Sequence, residues 1–202
     1  MLTAATLAAA ARRIHAAMPA LEQELNAADA KLGDGDTGGM LARVVERLAS
    51  IETGGKDDLG RTFGAFAQAA TAATGSSLGT LFATGLMAFA RAGKGRTEIA
   101  PAEIGAVLAS ARDAMLKRGQ SSLGDKTVID AIDAVARAIE GETRWSGLKT
   151  SARAAAGAAL ADFRDRPCRI GRARMFGDKS SGLDDPGMLA FVRLLDVISQ
   201  GD

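Results

Sequence analysis

Three carboxylates, Asp29, Asp34 and Asp36, fall within eight residues in the segment Asp29-Ala-Lys-Leu-Gly-Asp34-Gly-Asp36-Thr-Gly-Gly-Met40. At neutral pH such acids repel one another, and a bound cation is the natural compensation. Donors that are all oxygen favour a hard ion such as Mg²⁺, which keeps waters and shares phosphate oxygens. The intervening glycines remove side-chain bulk. Gly33 to Gly38 spells G-x-G-x-x-G, but no strand pattern precedes it and its acids would repel a pyrophosphate. An EF-hand begun at Asp34 would need glutamate where Val45 stands. A solvated acidic turn fits the same residues.

Three further glycine-rich segments carry polar groups next to helical patterns. Thr74-Gly-Ser76-Ser77-Leu-Gly-Thr80 precedes an apolar helix, so its backbone N–H groups and hydroxyls suit a phosphate, or simply cap the helix. Gly119-Gln-Ser-Ser-Leu-Gly-Asp125-Lys126-Thr127 nearly spells a P-loop. Asp125 separates the glycine from Lys-Thr, however, and no strand leads in, so that motif is excluded and Asp125 is expected to cap the next helix. The fourth segment, Gly171 to Gly187, contains Arg172 and Arg174 and ends at Asp185-Pro186-Gly187, another helix start. It reads equally as a flexible connection. His15, Cys168 and Trp145 read as structural residues.

The elements that must position these segments are helical. Leu7, Ala11, Ile14, Met18, Leu21 and Leu25 form one apolar stripe at helical spacing. Further helices are expected over about 38–51, 57–73, 77–91, 101–119, 126–140 and 147–163, and from Pro186 through Ile198. Gly93 is expected to end the fourth in a left-handed conformation, and Pro101 opens the fifth. Eight helices with short connections and no alternating strand pattern give an all-α bundle in a single domain over residues 1–202.

Composition narrows the function. The chain has 202 residues, with 25 basic and 24 acidic side chains and a net charge of +1. That balance and an aromatic content of 4% disfavour nucleic-acid binding. With one cysteine and one histidine, a disulfide framework, a multi-cysteine zinc site and a histidine-based hydrolase are excluded. Arg12, Arg13 and His15 interrupt the alanine-rich start, which argues against a signal peptide, and no run is long enough to span a membrane. A reducing, cytoplasmic setting is expected.

Taken together, Asp29 with Gly33-Asp34-Gly35-Asp36, then Gly124-Asp125-Lys126-Thr127, then Gly171-Arg172-Ala173 and Asp185-Pro186-Gly187 resemble the nucleotide-binding L subunit of dihydroxyacetone kinases. The same domain forms the C-terminal half of single-chain, ATP-dependent members. The resemblance runs the length of the chain and implies an eight-helix antiparallel barrel with a nucleotide site at one end. It implies that Asp29, Asp34 and Asp36 hold two Mg²⁺ ions and carry the reaction. It places Thr37, Gly38, Gly39, Met40, Ser76, Ser77, Gly119, Val128, Arg172, Asp185, Pro186 and Gly187 around ADP or ATP. Thr37 stands where many members have histidine, and Leu78 intervenes before Gly79 in the serine loop. The implied partners are a K-type subunit holding the ketose, a phosphoryl-donor protein in the phosphoenolpyruvate-linked branch, and a second copy in a homodimer. The competing reading is an ADP–Mg-binding regulatory module without phosphoryl transfer of its own.

Overall fold

The computed structural model describes residues 1–54 and 56–200. Helix α1, Ala4–Asp29, begins at Thr3, which exchanges capping bonds with Thr6, and it carries Pro19 on its exposed side. It is followed by α2 (Thr37–Ala49), α3 (Leu59–Ala73), α4 (Ser77–Ala92), α5 (Pro101–Gly119), α6 (Val128–Ala138), α7 (Trp145–Phe163) and α8 (Pro186–Ser199). Side-chain caps set most of the starts. Asp58 accepts from Arg61 N–H, Ser76 from Gly79 N–H and Asp185 from Met188 N–H, while Thr127 and Asp130 form a reciprocal box.

Each helix packs on its neighbour in sequence, and α8 returns to α1, which closes a ring. Short connections oblige consecutive helices to run antiparallel, and α8, reached through the longer 164–185 segment, starts at the same cavity as α2, α4 and α6. All the even-numbered helices therefore start at one end, and the four glycine-rich segments are the connections at that end. The opposite end is drawn together by small residues. A Cβ on Gly60 would lie 2.7 Å from Lys94 Cα, and one on Gly93 would lie 2.8 Å from Leu59 Cβ. Inside the ring, an apolar cavity of about 290 Å³ is lined from every helix except α7, among them by Ile14, Val44, Phe66, Phe82, Leu108 and Phe191. Helix α7 buttresses α6 and α8, which also touch each other.

Four local readings change. Asp125 does not cap α6; its carboxylate accepts from Ser122 N–H at 2.7 Å, and Thr127 takes the cap because it stands directly before the helix. Gly93 has φ −88°, so it serves close approach rather than a left-handed turn. Leu2–Thr3 (β1) and Glu98–Ile99 (β2) pair antiparallel, too briefly to leave an alternating pattern, and tie the start of the chain to the α4–α5 connection. The segment after α7 contains an ordered 3₁₀ stretch, Arg172–Ser180, kinked at Gly177 (φ 52°).

Candidate functional site

The acidic hairpin between α1 and α2 is built by side chains on the last turns of α1. Asp29 Oδ2 accepts the N–H groups of Asp36 (3.0 Å) and Thr37 (3.2 Å). Asn26 Oδ1 accepts those of Gly38 (2.7 Å) and Gly39 (3.2 Å). The start of α2 is thus capped by the end of α1, and the two helices approach until a Cβ on Gly38 would overlap the Glu22 carbonyl oxygen. A Cβ on Gly33 would overlap Asp29 Oδ1, and Gly35 turns the loop at φ +76°. These glycines let Asp34 and Asp36 fold back on Asp29. One carboxylate oxygen from each of the three lies within 4.8 Å of the others.

The electrostatics show the strain in that cluster. Asp29 is buried, whereas Asp34 and Asp36 are exposed. Desolvation pushes Asp36 above the usual carboxylate range, and the charges of Asp34 and Asp29 add to it. Asp34 moves the other way because the Arg172 guanidinium, reaching over from the α7–α8 segment, pairs with it. An all-oxygen cluster that draws in a guanidinium fits a hard divalent cation by charge and donor type.

Beside the cluster, a cavity of about 480 Å³ opens among the starts of α2, α4, α6 and α8 and the end of α5. Asp29 and Thr37 reach it from the hairpin, Gly75 from the α3–α4 connection, and Ser77, Leu78, Thr80 and Leu81 from α4. Arg118, Gly119 and Ser121 come from the end of α5, Thr127, Val128 and Ile129 from α6, and Asp185, Pro186 and Gly187 from α8. Ser76 Oγ takes the Gly79 N–H at 3.0 Å and the helical ladder begins at Thr80, so the first-turn N–H groups of Ser77 and Leu78 remain for an anion. Leu81, Val128, Ile129 and Ile170 give the cavity apolar wall suited to a flat ring system, and the Ser121 hydroxyl is buried without a hydrogen-bond partner among the described residues. Burial pushes Asp185 up to about 6, against the opposing pull of the Met188 N–H and Lys126.

Of the residues anticipated from the sequence, Asp29, Thr37, Ser77, Gly119, Val128, Arg172, Asp185, Pro186 and Gly187 share this cavity. Asp34 and Asp36 stand at the carboxylate cluster. Gly38, Gly39, Met40 and Ser76 do not line the cavity: the Met40 side chain lies in the main core, the two glycines build the hairpin, and Ser76 is a cap. The sequence reading missed Thr80, Leu81, Arg118, Ser121 and Ile170 as cavity residues. The helical register of Ser77 would have found Thr80 and Leu81, and Ser121 stands in the polar Gly119–Thr127 segment, but Arg118 and Ile170 carry no local signal.

The family model of the DAK2 domain matches residues 31–200. The chain belongs to the DAK2 domain family. It is 32% identical to an L-erythrulose 1-kinase of Mycolicibacterium smegmatis over 190 residues, which is 89% of this chain and 32% of that protein. A D-erythrulose kinase of the same organism is 35% identical, covering 82% of this chain and 30% of the relative. The DAK2 domain thus spans about a third of the length of these two kinases. It also spans 87% of the ADP-binding subunit DhaL of a PEP-dependent dihydroxyacetone kinase from Listeria innocua, at 28% identity. In fold, the domain matches the C. freundii dihydroxyacetone kinase solved with AMP-PNP and Mg²⁺ with a TM-score of 0.72, at 24% identity, covering 98% of this chain and 34% of that one.

Proposed function

We propose that this DAK2 domain is the nucleotide-binding, phosphoryl-transferring part of a kinase for dihydroxyacetone or a related ketose such as erythrulose. The observation that carries the reading is one cavity edged by four helix starts with three carboxylates beside it. The kinases and ADP-binding subunits among its relatives support the substrate class.

Two Mg²⁺ ions held by Asp29, Asp34 and Asp36 would supply charge neutralisation at the nucleotide phosphates. The chain's own groups do the positioning that a loose phosphoryl-transfer transition state requires. The first-turn N–H groups of α4 and the Ser77 hydroxyl donate to phosphate oxygens. Gly119, Val128 and Pro186 bound the base and ribose, and Gly187 lets α8 start against Val128. Arg172 exchanges its partner Asp34 for phosphate when nucleotide enters. The bond from the terminal phosphorus to the nucleotide's bridging oxygen breaks as a bond to the ketose hydroxyl oxygen forms, and the hydroxyl proton is released. The ketose is presented by a separate K-type subunit, and the spent ADP leaves for ATP or is recharged in place by a phosphoryl-donor protein. A cytoplasmic setting is proposed; among the described residues no helix is long and apolar enough to cross a membrane.

The test is to mix the protein with a K-type subunit, dihydroxyacetone or erythrulose, Mg²⁺ and γ-labelled ATP. Label should appear on the ketose, and an Asp34→Ala variant should slow its appearance at least a hundredfold. Mg²⁺-dependent ADP binding with no label transferred to either ketose, whether the label is supplied on ATP or on a phosphoryl-donor protein, would leave the regulatory module instead.

A further inference from the structure

Lys126 occupies the position that nearly completes a P-loop, yet its side chain points away from any phosphate role. It is 1% exposed, and its Nζ donates to three backbone carbonyls: Arg164 (2.8 Å), Arg166 (2.7 Å) and Ser180 (2.8 Å). An ammonium has three N–H donors, so none is left for a ligand. The residue also sits at φ +63°, a conformation that disfavours side chains other than glycine, asparagine and aspartate. A lysine needed only to fill space would not require a charged head at this depth, since an apolar side chain avoids the desolvation cost.

The segment gathered by this ammonium is the one that walls the nucleotide cavity on its α7–α8 side. Ser180, fully buried, accepts the Cys168 N–H at 2.7 Å and donates to the Gly177 carbonyl at 2.6 Å. Arg164 and Asp184 close the base of the loop through a bidentate pair, and the Arg169 N–H returns to the Asp125 carbonyl at 3.0 Å. From that framework Cys168 and Ala173 pack on Leu32 of the acidic hairpin, with Phe176 and Leu183 against them. Arg172, next to Ala173, pairs with Asp34. A path of direct contacts therefore runs from Lys126 through the 164–180 backbone to the hairpin that carries the carboxylates.

We propose that Lys126 is a positioning residue: by clamping the 164–180 segment it holds Ala173 on the acidic hairpin and keeps Arg172 at the cavity edge, within reach of Asp34 and of an incoming phosphate, and so sets the affinity for Mg-nucleotide. The inference rests on the nucleotide-binding reading above. It is distinct from a stabilising role in that its effect on binding passes through Arg172.

The experiment uses the full chain and MgADP as the probe. Lys126→Met, Arg172→Ala and the double variant are compared by calorimetric titration, by trypsin cleavage within 166–174 and by helix content. Lys126→Met should keep the helix content and be cut at least tenfold faster after Arg169, Arg172 or Arg174, the arginines of this stretch not followed by proline. It should bind MgADP at least tenfold more weakly, and in the Arg172→Ala background the same change should weaken binding less than twofold further. Should Lys126→Met fail to fold, Ser180→Ala loosens the same loop while leaving the lysine in place, and it should give the same pattern at about threefold. Unchanged cleavage and binding in whichever variant is used overturn the proposal, as do losses that simply multiply in the double variant. Absence of MgADP binding by the unaltered protein overturns the nucleotide-site reading and this proposal together, whereas binding there with equal binding by Lys126→Met overturns this one alone.

Discussion

Asp29 Oδ2 accepts the N–H groups that begin α2, so the side chain is a helix cap and, under the proposed function, an ion ligand as well. Asparagine keeps an acceptor for the cap but gives up the charge. Asp29→Asn is therefore expected to leave unfolding within about 1 kcal/mol of the unaltered protein while weakening Mg²⁺-dependent ADP binding at least tenfold. Asp29→Ala should add roughly 1–2 kcal/mol of destabilisation. Urea unfolding and titration calorimetry on the pair separate the two roles, and equal binding by all three proteins would remove Asp29 from the ion site. Asp185 makes a different prediction. Its carboxyl, ordinarily near 3.8, is raised to about 6 in the folded protein. Between those values the folded state holds the proton more tightly than the unfolded chain, so this group's contribution to stability falls as pH rises through 6 and is flat above. Asn caps as well as Asp, so Asp185→Asn should remove that decline and gain roughly 1–3 kcal/mol at pH 7.5 relative to pH 4. Equal pH slopes for the two proteins in urea unfolding would show that the burial of Asp185 has no such consequence.

At the scale of elements, the two ends of the ring use glycine for different purposes. Gly38 lets α2 start against the Glu22 carbonyl and beneath the carboxylates, whereas Gly60 lets α3 start against the end of α4 at the opposite end. Both Gly38→Ala and Gly60→Ala should cost on the order of 1–3 kcal/mol, because backbone must yield in each case. Only Gly38→Ala should also impair Mg²⁺-dependent nucleotide binding. Thermal unfolding with calorimetric titration checks this, and impaired binding in Gly60→Ala would mean that the ends are mechanically linked. The helices themselves were legible from spacing and caps: Ser76, Pro101 and the Asp185-Pro186 pair mark starts that the structure places within a residue. Distances that depend on neighbouring chain segments were not. Gly93 ends α4 as its place in the sequence suggests, but its close approach to Leu59 shows only in the fold, and Lys126 looks like a failed P-loop lysine until the carbonyls of 164, 166 and 180 surround it. The carboxylate cluster was legible because Asp29, Asp34 and Asp36 are neighbours in sequence, whereas Arg118 and Ile170 join the site only through ring closure.

For the whole molecule, the decisive contact is α8 on α1, supported by the Arg193 guanidinium on Glu24 and by Arg13 donating to the Ile198 carbonyl. Closing the ring brings the last glycine-rich segment beside the first and leaves an apolar space along the axis. Protein interiors are ordinarily packed to crystal-like density, so about 290 Å³ lined by side chains from seven helices is contact energy the fold does not collect. Gly85, in the middle of α4, borders that space, and a Cβ built there would have a single close neighbour, Met115 Sδ at 3.4 Å, on a side chain that readily shifts. Gly85→Ala should therefore gain helix propensity and a buried methyl at once, raising stability by about 1 kcal/mol. Because Gly85 does not line the cavity among the helix starts, affinity for MgADP under the proposed function should stay within twofold. Thermal unfolding and calorimetric titration of this variant measure both. A loss of stability would mean that the axial space is held open by packing too rigid to accept one carbon. A loss of affinity would mean that the packing of the ring is coupled to the spacing of its four helix starts.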